Sequence, residues 1–254
     1  MRSSPLRSQT RPSNTGHTGP QSPRLGTPAR LSGEQCSVLR EYQLLWDRLA
    51  LRLLRSQEPS RPLTVGLTSA IPGEGKTTAS IGLAIALAQE GPGNVALVEA
   101  DFRNPTLARD FGAPGGPGLM DHLLGRCPLL ELSRATHTDR LRLFPAGEWP
   151  HLFGRPTSGR LNGQLRHRFQ GVVEQLGKEF SCVVLDLPPV LGNIDTEEIL
   201  TFISGVILVA RNGVTPLEKF RQATQRLESG KLLGVVYLGG QGYTPRWLAR
   251  LISE

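Results

Sequence analysis

Eleven residues constrain this chain more than any other stretch: Thr68-Ser-Ala-Ile-Pro-Gly-Glu-Gly-Lys-Thr-Thr78. A short apolar run, Leu63-Thr-Val-Gly-Leu67, precedes them and reads as a buried strand. The run Ala79–Ala88 follows and reads as a helix. Strand, glycine-containing loop, Lys-Thr and helix together make the arrangement that cradles phosphate. Gly73 and Gly75 let the backbone curl, so that in the loop opening at Pro72 the successive N–H groups of Gly73–Thr78, Glu74 among them, turn inward. The following helix adds its positive N-terminal end. Lys76 brings a mobile charge to the outer phosphates, and Thr77 and Thr78 bring hydroxyls, that of Thr77 suited to Mg²⁺. The strict pattern GxxxxGK[ST] has glycine where this chain has Ala70. A turn that only connects strand to helix is the plain alternative, and the ordered flanks on both sides argue against it.

The rest of the chain repeats the alternation. Strand-like runs are expected at Val95–Glu99, Leu141–Phe144, Ser181–Asp186, Gly205–Ala210 and Leu233–Tyr237. Helices are expected over residues 164–178 and 216–228. Residues 106–140 read as short helices and loops, with Gly112–Gly118 flexible. Residues 147–162 read as a mobile surface loop. Strands that are apolar throughout and alternate with helices form a mostly parallel, doubly wound α/β sheet covered on both faces. Before the first strand, Leu39, Tyr42, Trp46, Leu49 and Leu53 recur at helical spacing, which predicts an amphipathic helix over residues 34–55. Its stripe packs on the body of the domain or on another subunit. Residues 1–33 are rich in Arg, Pro and Ser and read as a disordered arm, and residues 244–253 read as a terminal helix.

In a doubly wound sheet, ligands bind beyond the carboxyl ends of the strands. Asp186 ends one buried strand there, as a carboxylate able to hold Mg²⁺ together with Thr77. Glu99 and Asp101 close another strand at alternate positions, so they can point the same way. One of them could assist the metal while the other takes a proton from an attacking hydroxyl. Arg103 could pair with these acids or reach a phosphate.

Composition narrows the setting. The formal net charge is +7, but residues 1–30 hold five Arg and no acid, so the body is nearly balanced. A nucleic-acid surface would be a basic face of the folded domain, and none is expected. Cys36, Cys127 and Cys182 are far apart, with no metal-ligand spacing, and fit a reducing compartment. No run approaches the length of a transmembrane helix, and no apolar core follows the N-terminal charges. A cytoplasmic protein is expected, with the basic arm free to touch acidic lipid headgroups.

Pro72-Gly-Glu-Gly-Lys-Thr77, Glu99-x-Asp-x-Arg-x-Pro105 and Val183-Val-Leu-Asp-x-Pro-Pro-Val190 resemble the P-loop, Walker A′ and Walker B motifs of the bacterial tyrosine kinases. These are the CpsD/CapB-like cytoplasmic P-loop kinase domains of capsular and exopolysaccharide export systems. Order and spacing agree over most of residues 34–238, and Phe111-Gly112, Gly118-Leu119, Pro145-Ala-Gly147 and Gly205-x-Ile-Leu-Val209 recur in place. The resemblance implies ATP and Mg²⁺ as cofactors and phosphorylation of tyrosine as the activity. It implies a ring of self-associated subunits and activation by the cytoplasmic tail of a membrane polysaccharide co-polymerase, which would recruit the protein to the inner face of the membrane. By position, Lys76, Glu99 and Asp101 are the catalytic candidates, with Glu99 at the place of the proposed base. Thr77, Asp101 and Asp186 are the metal candidates. The chain departs from the family pattern at four places. Glu99 replaces Asp, Leu44 and Asp47 replace the arginines of the oligomerisation helix, Leu238 stands where an adenine-binding Asn is usual, and the last 15 residues hold one tyrosine, Tyr243. A nucleotide-gated regulator or scaffold with little catalysis is therefore the alternative. A positioning ATPase of the MinD/ParA type comes third, because position 69 or 70 lacks its extra lysine.

Overall fold

The computed structural model describes residues 42–56, 58, 61–112, 115–148, 163–192, 195–227 and 231–239. The expected basic arm, the start of the leading helix, most of the loop ending at residue 162 and the terminal helix lie outside the described residues. Seven strands form one sheet: β1 (Leu63–Ser69), β2 (Val95–Glu99), β3 (Arg134–Ala135), β4 (Leu141–Phe144), β5 (Cys182–Asp186), β6 (Gly205–Arg211) and β7 (Leu232–Leu238). Their order across the sheet is β3-β4-β2-β5-β1-β6-β7. Every pair is parallel except β3 with β4. The expected parallel α/β sheet is therefore present, with one short antiparallel strand added at its edge.

Helices α1 (Gln43–Ser56), α2 (Lys76–Glu90), α3 (Leu107–Asp110), α4 (Leu119–Leu123), α5 (Gly163–Glu179), α6 (Asp195–Ile199) and α7 (Leu217–Leu227) complete the described elements, with a few single 3-10 turns. Two apolar layers sandwich the sheet. Trp46, Ala50 and Leu53 of α1 and the apolar residues of α2 pack with Val65, Leu67, Val95, Leu97 and Val184 on one face. Phe169, Val172 and Leu176 of α5 and Phe220 and Leu227 of α7 pack with Val98, Val183, Leu185 and Leu208 on the other. Alternation along a strand explains this division. It also sets the orientation of the strand ends. Val184 faces α2, so Asp186, two residues on, faces α2 as well. By the same count Glu99 follows Leu97 onto that face.

The central order β2-β5-β1-β6 separates β1 from β2, although α2 alone joins them in sequence. β5 therefore fills the gap and brings its terminal acid beside the loop that leaves β1. The other end of α2 is held by Arg140, whose guanidinium donates to the carbonyls of Gly91 (2.6 Å) and Gln89 (3.1 Å). A cation on the last carbonyls of a helix complements its dipole, as phosphate would at the first turn.

Candidate functional site

The loop between β1 and α2 owes its shape to two glycines. Gly73 and Gly75 have φ of 85° and 89°, the left-handed region that side chains disfavour. Gly75 also lies close against the end of β7, where a Cβ would come 2.8 Å from Cδ1 of Leu238. α2 begins directly after it, at Lys76. The first-turn N–H groups and the loop therefore open on one cleft of about 360 Å³. Pro72, Gly73, Gly75, Lys76, Thr77 and Thr78 line one wall of the cleft, and Asp101, Asn104, Thr106 and Pro189 the other. That volume lies in the range of small-molecule sites.

Two acids meet α2 here. Asp186 is 1% exposed and accepts hydrogen bonds from Thr77 Oγ1 (2.8 Å) and Ser80 Oγ (3.1 Å). Burial pushes its carboxyl up to about 6, against the opposing pull of Lys76 and the two hydroxyls. Asp101 Oδ2 holds Lys76 Nζ at 2.8 Å. Burial alone would lower the Lys76 ammonium, but the charges of Asp186 and Asp101 outweigh it and hold the group above its usual value. Lys76 is therefore a charged donor throughout the ordinary pH range. The expected trio Thr77, Asp101 and Asp186 thus converges around the start of α2.

Hydroxyl and carboxylate oxygens of this kind suit a hard divalent cation such as Mg²⁺. Among the described residues no group of three or more His, Cys, Asp or Glu side chains forms a metal cage. A divalent ion beside Thr77 and Asp186 would complete its shell with phosphate oxygens and water, as Mg²⁺ commonly does.

Three expected site residues stand elsewhere. Glu99 is 1% exposed and does not line the cleft. Its Oε1 accepts the N–H groups of Thr106 and Leu107 (2.6 Å to Leu107), and its Oε2 accepts that of Ala146 (3.0 Å). Burial raises its carboxyl above the usual range, and the three backbone donors oppose that shift. Its carboxylate thus lies among the loops after β2 and β4. Arg103 donates to the carbonyl of Gly192 at 3.3 Å, which leaves the phosphate role as the one of its two expected roles still open. Glu74 turns inward, with no exposure, accepting the Ile71 N–H at 2.8 Å and the Thr215 hydroxyl. Its backbone stays in the loop while its side chain braces that loop from below.

Sequence reading did not single out Ser80, although it follows Thr77 by three residues and so shares its helical face. Asn104 and Thr106 were likewise missed. Only the return of the chain after Asp101, where the Asn104 N–H meets Asp101 Oδ1 at 3.3 Å, brings them to the cleft.

No family model matches the chain. It is 30% identical over 175 residues to the tyrosine-protein kinase CpsD of Streptococcus agalactiae, covering 68% of this chain and 73% of that protein. It is 26% identical over 179 residues to the succinoglycan biosynthesis transport protein ExoP of Rhizobium meliloti, covering 70% of this chain and 22% of that longer protein. Among solved structures, the kinase domain of VpsO superposes with a TM-score of 0.64 at 26% identity, covering 78% of this chain and 96% of that one.

Proposed function

This chain belongs to the bacterial tyrosine-protein kinase family, and we propose that it binds ATP with Mg²⁺ at the carboxyl edge of the sheet and passes the terminal phosphoryl group to a tyrosine hydroxyl. The observation that carries this reading is the convergence of Lys76, Thr77, Asp101 and Asp186 on one cleft at the start of α2. The loop N–H groups hold the inner phosphates. Lys76 exchanges Asp101 for an outer phosphate when nucleotide enters. Thr77 and Asp186 would hold Mg²⁺, which would supply charge neutralisation to the outer phosphates. Asp101, released by Lys76 and lining the cleft, accepts the hydrogen bond of the attacking hydroxyl. Glu99 serves the same site as a positioning residue, fixing Thr106 and the Pro145–Gly147 turn around it. Phosphoryl transfer needs little covalent help from the protein, so positioning and charge supply the rate.

In the cell this protein acts in exopolysaccharide or capsule synthesis or export. Its partner is the cytoplasmic tail of a membrane co-polymerase, which recruits it to the inner membrane face. The similarity to a polysaccharide transport protein supports that setting. Among the described residues no helix is long and apolar enough to cross a membrane. Self-association completes the working unit.

A second reading is a nucleotide-gated regulator with little turnover. The Glu99 carboxylate, fully engaged by backbone donors, favours it. Incubation with γ-labelled ATP and Mg²⁺, with and without the co-polymerase tail, separates the two. Phosphotyrosine on either chain, lost in Lys76→Ala, is the expected result. Nucleotide binding with neither phosphotyrosine nor phosphate release would sink the kinase and leave the regulator.

A further inference from the structure

We infer that the nucleotide base is read by Asn212, in the turn after β6, and that this residue selects adenine over guanine. The inference rests on the phosphate site proposed above. The direction of the ligand comes first. Lys76, Asp101 and Asp186 gather the charged groups on the side of β1 where β5 and β2 lie. A triphosphate with its outer end there leaves its nucleoside end on the opposite side of the loop, over the carboxyl ends of β6 and β7.

That opposite side is built as one piece with the phosphate loop. The Leu238 side chain at the end of β7 lies against Gly75, as the 2.8 Å approach to a Cβ there shows. Glu74, inside the phosphate loop, accepts the Thr215 hydroxyl, which in turn accepts the Arg211 N–H at 2.8 Å. The Asn212 N–H donates to the Leu238 carbonyl at 2.8 Å. The Arg211–Thr215 turn therefore stands at a fixed distance from the phosphates. The Glu74–Thr215 bond braces the phosphate loop and, by the same contact, holds the turn at a set reach from the phosphates.

The Asn212 carboxamide is exposed and oriented. The Tyr237 hydroxyl donates to its Oδ1 at 2.9 Å, and its Nδ2 donates to the Gly239 carbonyl at 3.2 Å. These two bonds decide which end is oxygen and which is nitrogen. They leave a lone pair on Oδ1 and an N–H on Nδ2. The complementary ligand edge has an N–H next to an acceptor. Adenine offers that pair in its 6-amino group and N7, whereas guanine offers two acceptors, O6 and N7, on the same edge. In the same pose guanine would set O6 against Oδ1. Val214, 39% exposed and two residues along the turn, offers an apolar side chain for the face of the base.

The test is calorimetric titration with three probes: ATP, GTP and inorganic tripolyphosphate, each with Mg²⁺. The intact chain is expected to bind ATP at least tenfold more tightly than GTP, on the scale of a good amide–adenine pair. Asn212→Ala should lose roughly tenfold of ATP affinity while its tripolyphosphate affinity stays put. Asn212→Asp should lose ATP but narrow the gap to GTP, since a carboxylate accepts from the amino and imino N–H groups of guanine. Equal affinities for ATP and GTP in the intact chain would overturn the inference and leave the phosphate site standing. So would a parallel fall for ATP and tripolyphosphate in an Asn212→Ala protein whose urea midpoint is unchanged, because the carboxamide would then serve the phosphate end and not the base. If the intact chain binds none of the three, the phosphate site fails, and the inference with it.

Discussion

Asp186 is a carboxylate with almost no water around it, and its response to acid follows from that. Its folded value of about 6 lies above the ordinary 3.8, so the folded metal-free protein holds this proton more tightly than the unfolded chain does. Stability from this group is fully present below pH 3.8 and is lost as pH rises through about 6. In urea titrations without metal, the Asp186→Asn variant should lack that loss between pH 3.8 and about 6. An identical slope in both proteins would contradict the assignment. Glu99 allows a second prediction at this scale. Gln at position 99 keeps one acceptor for Thr106 and Leu107 but turns an N–H₂ toward the Ala146 N–H. One buried donor left unmatched costs about 1–3 kcal/mol, readable as a lower urea midpoint. Phosphotransfer by Glu99→Gln should fall without a change in its pH profile. A shifted acid limb would instead make Glu99 the base. The residue scale was only partly legible in the sequence. Lys76, Thr77, Asp101 and Asp186 could be placed because each sits at a fixed offset from a strand end or the helix start. The orientations of Glu99, Arg103 and Glu74 could not, because each depends on a partner far away in the chain: the Ala146 N–H, the Gly192 carbonyl and the Thr215 hydroxyl.

At the scale of elements, α1 packs along α2, and one approach between them is especially close. A Cβ on Gly82 would fall 2.6 Å from the Trp46 indole nitrogen. Gly82→Ala removes a helix-interior glycine, worth about 1 kcal/mol in favour of the variant. The clash with a rigid, buried ring costs about 1–3 kcal/mol. We expect net destabilisation in urea unfolding, with α1 displaced. A stabilised variant would show that α1 packs on α2 more loosely than the structure has it. The central strands were legible as apolar runs, and their helices as periodic ones. In α1 the expected stripe is buried at Trp46 and Leu53 and half-buried at Tyr42 and Leu49, with Ala50 added to it. β3 escaped the sequence reading because a strand of two half-buried residues, Arg134 and Ala135, has no apolar pattern to detect. The close contact of Gly118 with Gly147, where a Cβ would meet a backbone nitrogen at 2.1 Å, explains two glycines that spacing alone left unexplained.

For the whole molecule, the strand order turns scattered residues into one site. Lys76, Asp101 and Asp186 come from three segments, and only the insertion of β5 between β1 and β2 brings them within hydrogen-bonding reach of α2. The sheet class could be read from the alternation of strands and helices. The order of its strands is not written in any local pattern and comes from the structure alone. A site assembled in this way should bind metal and nucleotide as one unit, since Mg²⁺ keeps part of its shell on phosphate. The most direct measurement is calorimetric titration of ATP into the full chain, with Mg²⁺ and with EDTA, for the intact protein, Lys76→Ala and Asp186→Asn. Binding should be tight with Mg²⁺ and weaker by tenfold or more in EDTA, roughly one charge-assisted contact. Asp186→Asn should abolish the metal dependence, and Lys76→Ala should lose most of the affinity. ATP binding of equal strength in all three proteins, with or without metal, would contradict a MgATP site at the carboxyl edge of the sheet.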